Sequence, residues 1–136
     1  VSADPAQSGR LRRGWFWAIL TYYVVVLGGL SHIPGPAIAE LGFDVWDKAA
    51  HFALYLPIGV SLWLLVREVP RLSRPMATLG VGLCCGTLLG ALDELHQNFV
   101  PGRFCTVSDV VADVLGVCVG ALSAYGIGSL VNQWRS

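Results

Sequence analysis

The sequence predicts an all-α membrane protein, a bundle of four transmembrane helices with both termini in the cytoplasm. Three observations predict it. Apolar residues make up 54% of the chain and charged residues only 13%, with a mean hydropathy of +0.61. That balance is high for a soluble domain. The apolar residues gather into four runs, Trp15–Leu30, Ala49–Val66, Met76–Leu92 and Val107–Val131. Segments rich in proline and glycine separate them, and such residues stop helices and reverse the chain. Zero formal net charge leaves no basic footprint for nucleic acid.

Residues 1–13 read as a polar, mobile tail, and residues 14–136 as one four-helix domain with no internal repeat. A span needs roughly 20 residues, within about 17–25. With flanking residues counted, the spans fall at about 15–31, 48–67, 76–97 and 107–131. This places Glu94 to Gln97, Asp109 and Asp113 at or near membrane depth. The first run also has features of a signal peptide: Arg10, Arg12 and Arg13 ahead of it, and Ala37-Ile38-Ala39 behind it as a cleavage site. A retained span is the preferred reading. The turns are "HIPGPAIAELGF" with Pro34, Gly35, Pro36 and Gly42, "REVPRLSRP" with Pro70 and Pro75, and "FVPGRF" with Pro101 and Gly102.

Charge sets the expected orientation. One side of a four-span bundle holds Arg10, Arg12, Arg13, Arg67, Arg71, Arg74 and Arg135, and the other only Lys48 and Arg103. The positive-inside rule then places both termini in the cytoplasm. Acids run the other way. Asp4 and Glu68 lie on the cytoplasmic side, whereas Glu40, Asp44, Asp47, Asp93, Glu94, Asp109 and Asp113 lie outside with His32, His51 and His96. Acids contribute little to orientation, so this concentration needs its own cause.

Helical spacing supplies one. Asp47, His51 and Tyr55 recur every four residues and line one face of the second span. Asp47 can accept a ring N–H from His51 and fix its tautomer. Alternatively, Asp47 only favours a helix N-terminus and His51 meets headgroups. Gly82, Gly86 and Gly90 form a ladder on the third span that lets helices approach closely. Glu94 is its next step and Gln97 follows on much the same face, so both point toward other helices. Asp93 and His96 flank that face and stay ambiguous between pocket and water. On the fourth span Asp109, Asp113, Gly116 and Gly120 form one stripe. Ser108 or Asp109 can cap that helix. Capping does not account for Asp113, a turn deeper.

Three helices thus aim Asp47, His51, Glu94, Gln97, Asp109 and Asp113 into one half of the bundle, with Arg103 on the adjoining loop. A charge at the bilayer centre costs about 2.5–3.5 kcal/mol even on lenient scales, so such groups read as functional by default. The alternative is a buried ion-pair network in which Arg103 and Lys48 neutralise some acids. Cys84, Cys85 and Cys118 read as small buried hydrophobes, and no C-x-x-C pair suggests a zinc or redox centre. His32, before Pro34, reads as a loop residue.

The stretches "DKAAHFALYLPIG" and "DELHQNFVPGRFCTVSDVVADVLGVCVG" resemble the VanZ-like family of small bacterial integral membrane proteins. The likeness covers the second to fourth spans, about three-fifths of the chain. Asp113 departs from it, since the family usually has asparagine there; an added anion would alter metal affinity. The family takes its name from a protein giving resistance to the glycopeptide teicoplanin. The resemblance implies a cell-envelope role in the bacterial cytoplasmic membrane, and supplies no reaction.

Three functions compete. In an enzyme, Asp47, His51, Glu94 and Asp109 would be catalytic, and Gln97, Arg103, Tyr55 and Asp113 would bind substrate. Asp47–His51 would act as an acid–base pair, and Arg103 would grip a phosphate or carboxylate. Alternatively His51, Glu94 and Asp109 would hold a divalent metal that activates water. Hydrolysis or group transfer on a lipid-linked envelope precursor or lipophilic antibiotic would follow. No serine or cysteine nucleophile is evidently placed. The second function is binding or transport of a lipid headgroup or antibiotic, in a homo-oligomer joined through the glycine-rich faces. The third is an accessory membrane protein whose polar cluster fixes helix register.

Overall fold

The computed structural model describes residues 5–40, 42, 46–67, 69, 71, 74–104 and 106–135. All regular structure among them is helical: α1 (Pro5–Tyr22), a π-helical stretch (Tyr23–Leu27), α2 (Gly28–Ser31), α3 (Gly35–Glu40), α4 (Asp47–Val66), α5 (Pro75–Gln97) and α6 (Val107–Arg135). Four segments are long and apolar enough to cross a membrane: Arg13–Ser31, Asp47–Val66, Pro75–Gln97 and Val107–Trp134. The all-α, four-span architecture expected from the sequence is what forms.

Two local expectations change. The tail expected as mobile is helical over its described part, from Pro5 onward. The segment expected as a plain turn after the first span holds the short helix α3. Pro34 carbonyl opens it by accepting the N–H groups of Ala37 and Ile38 at 3.1 and 3.2 Å. Asp4, Asp44, Glu68 and Pro70, each given a side or a turn above, lie outside the described residues.

The tightest packing joins α4 and α6. Gly116 lies against the Phe52 carbonyl, Gly120 against the Leu56 carbonyl, and Gly59 against the Val117 carbonyl. No side chain fits between backbones at these three points. Lipid tails give helices no hydrophobic drive to associate, so close approach through small residues does the joining. Tyr55, Ile58 and Val117 fill the centre. On α5, a methyl group at Gly86 would sit 3.3 Å from Val117 Cβ, and one at Gly90 only 2.7 Å from Asp113 Oδ2. The glycine ladders therefore pack within the chain.

The first span is different. Trp17, Val24 and Val25 are exposed on it, as lipid-facing residues are. It is tied to the rest through hydroxyls: Tyr22 donates to the Leu54 carbonyl at 2.8 Å, and Tyr23 to the Leu89 carbonyl at 3.4 Å.

Candidate functional site

The site lies where α4 and α6 begin and α5 ends. Asp47 opens α4 and His51 stands one turn on, so both face the same side. Asp109 and Asp113 repeat that spacing on α6, and Glu94 and Gln97 close α5. All the residues the sequence singled out come to this one end.

His51 is the centre. Its Nδ1 lies 3.0 Å from Asp113 Oδ1, and Asp113 is fully buried. Asp113 fits because Gly90 on α5 leaves room for its other oxygen. This contact holds the imidazole in plane and directs Nε2 toward Asp47 Oδ1 and Glu94 Oε1, each 3.9 Å away. Those separations exceed a hydrogen bond. The expected Asp47–His51 partnership is thus looser than the one His51 makes with Asp113, which lies on another helix.

Glu94, 1% exposed, bridges helices. Its Oε2 accepts the Thr106 N–H at 2.7 Å, whereas Oε1 has no hydrogen-bond partner among the described residues. Thr106 immediately precedes α6, and its hydroxyl donates to Asp109 Oδ2. The residue organising the start of α6 is therefore Thr106, where Ser108 or Asp109 was expected. Asp109 Oδ1 also accepts from Lys48 Nζ at 3.1 Å.

Beside this cluster lies a cavity of about 390 Å3. Its polar lining is Ser31, Asp47, His51, Asp93, Gln97 and Arg103. Leu30 from the first span, Ile33 from the turn after it, Ile38 from α3, and Ala53 and Leu54 from α4 make apolar walls. Such a cavity suits an amphiphile, with a polar head on the floor and a chain along the walls.

Arg103 reaches the cavity through a tight turn. Val100 carbonyl accepts the Arg103 N–H at 3.1 Å, with Pro101 second in the turn and Gly102 third at φ +74°. This is the type II pattern, which needs glycine at the third position. Gly35 N–H donates to the Pro101 carbonyl at 3.1 Å and pins the turn over the site. Arg103 Nη1 stands 3.8 Å from Asp47 Oδ1.

Asp93 resolves as a pocket residue. It is buried, accepting from Ser31 Oγ at 2.5 Å and from Gln97 Nε2 at 3.1 Å. His96 is exposed and stacks on His32, with ring centroids 5.3 Å apart. Tyr55 lines the cavity, but its hydroxyl donates to the Leu89 carbonyl at 3.3 Å and so ties α4 to α5. Glu94, Asp109 and Asp113 stand behind the cavity lining and act on it through their neighbours. Ser31 was missed in the sequence. Its only signal was one small hydroxyl closing an apolar run, too common to single out.

Two sets of donors come close enough to share an ion: Asp47, His51 and Asp109, and His51, Asp93 and Asp113, each within 4.8 Å of one another. Of the expected ligands His51, Glu94 and Asp109, Glu94 belongs to neither set. Asp47 takes its place in the first.

Comparison with protein families adds one finding. The family model described as VanZ/LLP1 matches residues 10–130. That extends well beyond the second to fourth spans, on which the resemblance was first drawn. Comparison with curated proteins and with solved structures returned no match.

Proposed function

The chain belongs to the VanZ/LLP1 family, and from that premise we propose that it is a bacterial envelope protein acting on an amphiphile at an outward-facing intramembrane site. The substrate class is a lipid-linked envelope precursor or a lipophilic glycopeptide, and the reaction is hydrolysis or group transfer. One observation carries this reading. Buried Asp113 fixes His51 at Nδ1, so that Nε2 faces two carboxylates beside a cavity with apolar walls. A histidine oriented by a buried acid can take a proton from one atom and return it to another. Asp47 and Glu94 are placed to exchange that proton, and Arg103 to hold an anionic head.

The proposed membrane is the cytoplasmic one, with the site on its outer side. The basic residues support this. Arg13 lies beside Val66 and Val69 at the end of the bundle opposite His51, and Arg67, Arg71 and Arg74 follow α4 or precede α5 at that same end. A cysteine at exposed Phe104 tests the side. In a background lacking the native cysteines, Phe104→Cys reacts with an impermeant maleimide on intact spheroplasts; labelling only after lysis would reverse the orientation.

The reaction is tested in proteoliposomes. Wild-type protein is incubated with a lipid-linked saccharide or with teicoplanin, and the headgroup is followed by mass spectrometry. The expected result is a changed headgroup with wild type and none with His51→Ala or Glu94→Gln. Unchanged amphiphile that is retained in a His51-dependent way would favour binding or transport. Folded variants matching wild type would leave the accessory role.

A further inference from the structure

Charge around His51 does not balance. Asp47, Asp93, Glu94, Asp109 and Asp113 face it or its neighbours, and the four other than Asp47 are buried. Among the described residues only Lys48 and Arg103 oppose them as permanent cations. Were all five carboxylates ionised, two cations would leave three negative charges uncompensated. Lys48 is also 59% exposed, so water screens its contribution. A surplus of this kind at membrane depth calls for pairing, protonation or a metal.

The geometry favours a metal. His51 Nε2 and Asp47 Oδ1 are 3.9 Å apart, too far for a hydrogen bond. Two ligands about 2.1 Å from one ion stand about 3–4 Å apart. Donor atoms of Asp47, His51 and Asp109 all lie within 4.8 Å of one another. Behind His51, Asp113 occupies the other ring nitrogen. A carboxylate on the far nitrogen is the arrangement that orients histidines which ligate metals. An independent observation comes from Glu94. It is buried, its Oε1 has no hydrogen-bond partner among the described residues, and that atom is aimed at His51 Nε2 from 3.9 Å.

We propose that His51 Nε2 and the carboxylates of Asp47 and Asp109 bind one divalent cation of the zinc or manganese type, with Glu94 Oε1 accepting from water on that ion. Imidazole together with carboxylates selects this class over calcium and magnesium, which prefer oxygen alone. Three protein ligands and an open position are the arrangement of catalytic rather than structural sites. The second donor set, His51 with Asp93 and Asp113, is the weaker candidate, because it uses the ring nitrogen that Asp113 already holds. The ion displaces Lys48 from Asp109, which an exposed lysine permits. The proposal deepens the acid–base reading and rests on the same pocket: with the ion in place His51 is a ligand, and Glu94 handles the proton of bound water.

The test uses full-length protein in detergent, stripped with a chelator and then titrated with zinc or manganese by calorimetry, with stoichiometry from elemental analysis. Wild type should bind one ion per chain. His51→Ala and Asp47→Asn should each weaken binding by more than about 100-fold, and Asp113→Asn by about 10–100-fold, the usual loss for an outer partner. Lys48→Ala should tighten binding, a result that a purely structural ion-pair network does not give. Asp47 is partly exposed, so its variant reports even where His51→Ala fails to fold. No stoichiometric ion, or binding unaltered in Asp47→Asn, overturns the site. The reaction stands or falls separately. Metal-free protein that still alters the amphiphile keeps the acid–base reading and removes the ion from the reaction. Protein that binds the ion yet leaves every amphiphile intact keeps the metal and loses the reaction.

Discussion

The first span and the α4–α6 pair are both long apolar helical segments, yet they are held by different means. Between α4 and α6, Gly59, Gly116 and Gly120 let one backbone touch the other. The first span makes no such approach. It hangs from the rest by Tyr22, Tyr23 and Ser31, each donating one hydrogen bond, and turns much of its apolar surface outward. The division has a functional sense. His51, Glu94, Asp109 and Asp113 stand wholly on α4, α5 and α6, the helices joined by close backbone approach. The first span contributes a wall of the cavity, through Leu30 and Ser31. The polar cluster sits on the closely packed part, and the cavity beside it is walled in part by the segment held by fewer ties.

Substitutions can break or sharpen this contrast. The largest effect is expected from Gly116→Leu, which drives a side chain into the Phe52 carbonyl. Overpacking of this kind destabilises by about 3 kcal/mol or more, and thermal unfolding in detergent should show a large drop. A wild-type melting curve would mean that backbone contact is not what joins α4 to α6. Next comes Gly90→Ala, whose new methyl would meet Asp113 Oδ2 at 2.7 Å. A loss of about 1–2 kcal/mol is expected. It should come with release of His51 from Asp113, read as a shift of its ring-nitrogen resonances by NMR. An unmoved histidine signal would show that Asp113 has slack.

Ser31→Ala removes a buried hydrogen bond to a carboxylate. It should lower stability by about 1 kcal/mol, within the range for polar contacts between membrane helices. Its main sign should be faster hydrogen exchange in α2, with α4 to α6 unchanged; faster exchange throughout would merge the two regions into one. Tyr22→Phe should cost about 0.6 kcal/mol, measured by the same melt, and a loss several times larger would give the first span a stronger anchor than its contacts suggest. Smallest of all is Trp17→Ala, at an exposed position. A change within about 0.5 kcal/mol is expected, and anything larger would point to a partner on that face.

Much of this was legible in the residues. Four apolar runs foretold four spans, and the glycine ladder ending at Glu94 foretold that Glu94 turns inward. The Val100–Arg103 turn could be read because proline followed by glycine admits few backbone shapes. Asp93 could not be placed. It sits one residue, about 100°, around the helix from Glu94, and its partner across the bundle is Ser31 on the first span. Periodicity within α5 carries no information about which neighbour lies against its second face. The Asp113–His51 contact was hidden for a similar reason. The i, i+4 rule finds Asp47 as the partner of His51, whereas the closer acid comes from a helix 62 residues away in sequence.

The tyrosine ties have a consequence for how the chain can vary. Tyr22, Tyr23 and Tyr55 all donate to main-chain carbonyls, two of them to that of Leu89. A carbonyl is present whatever side chain its residue carries. The dependence is therefore one-sided: each donor must keep its hydroxyl, while the accepting residue can drift among amino acids of similar bulk without dissolving the joint. Randomised libraries at Leu54 and Leu89 should accept many apolar replacements, whereas libraries at the three tyrosines should be enriched in tyrosine, with phenylalanine the best-tolerated replacement. The two tyrosine ties of the first span would then outlast mutation of its neighbours, whereas the Ser31 tie depends on the Asp93 side chain.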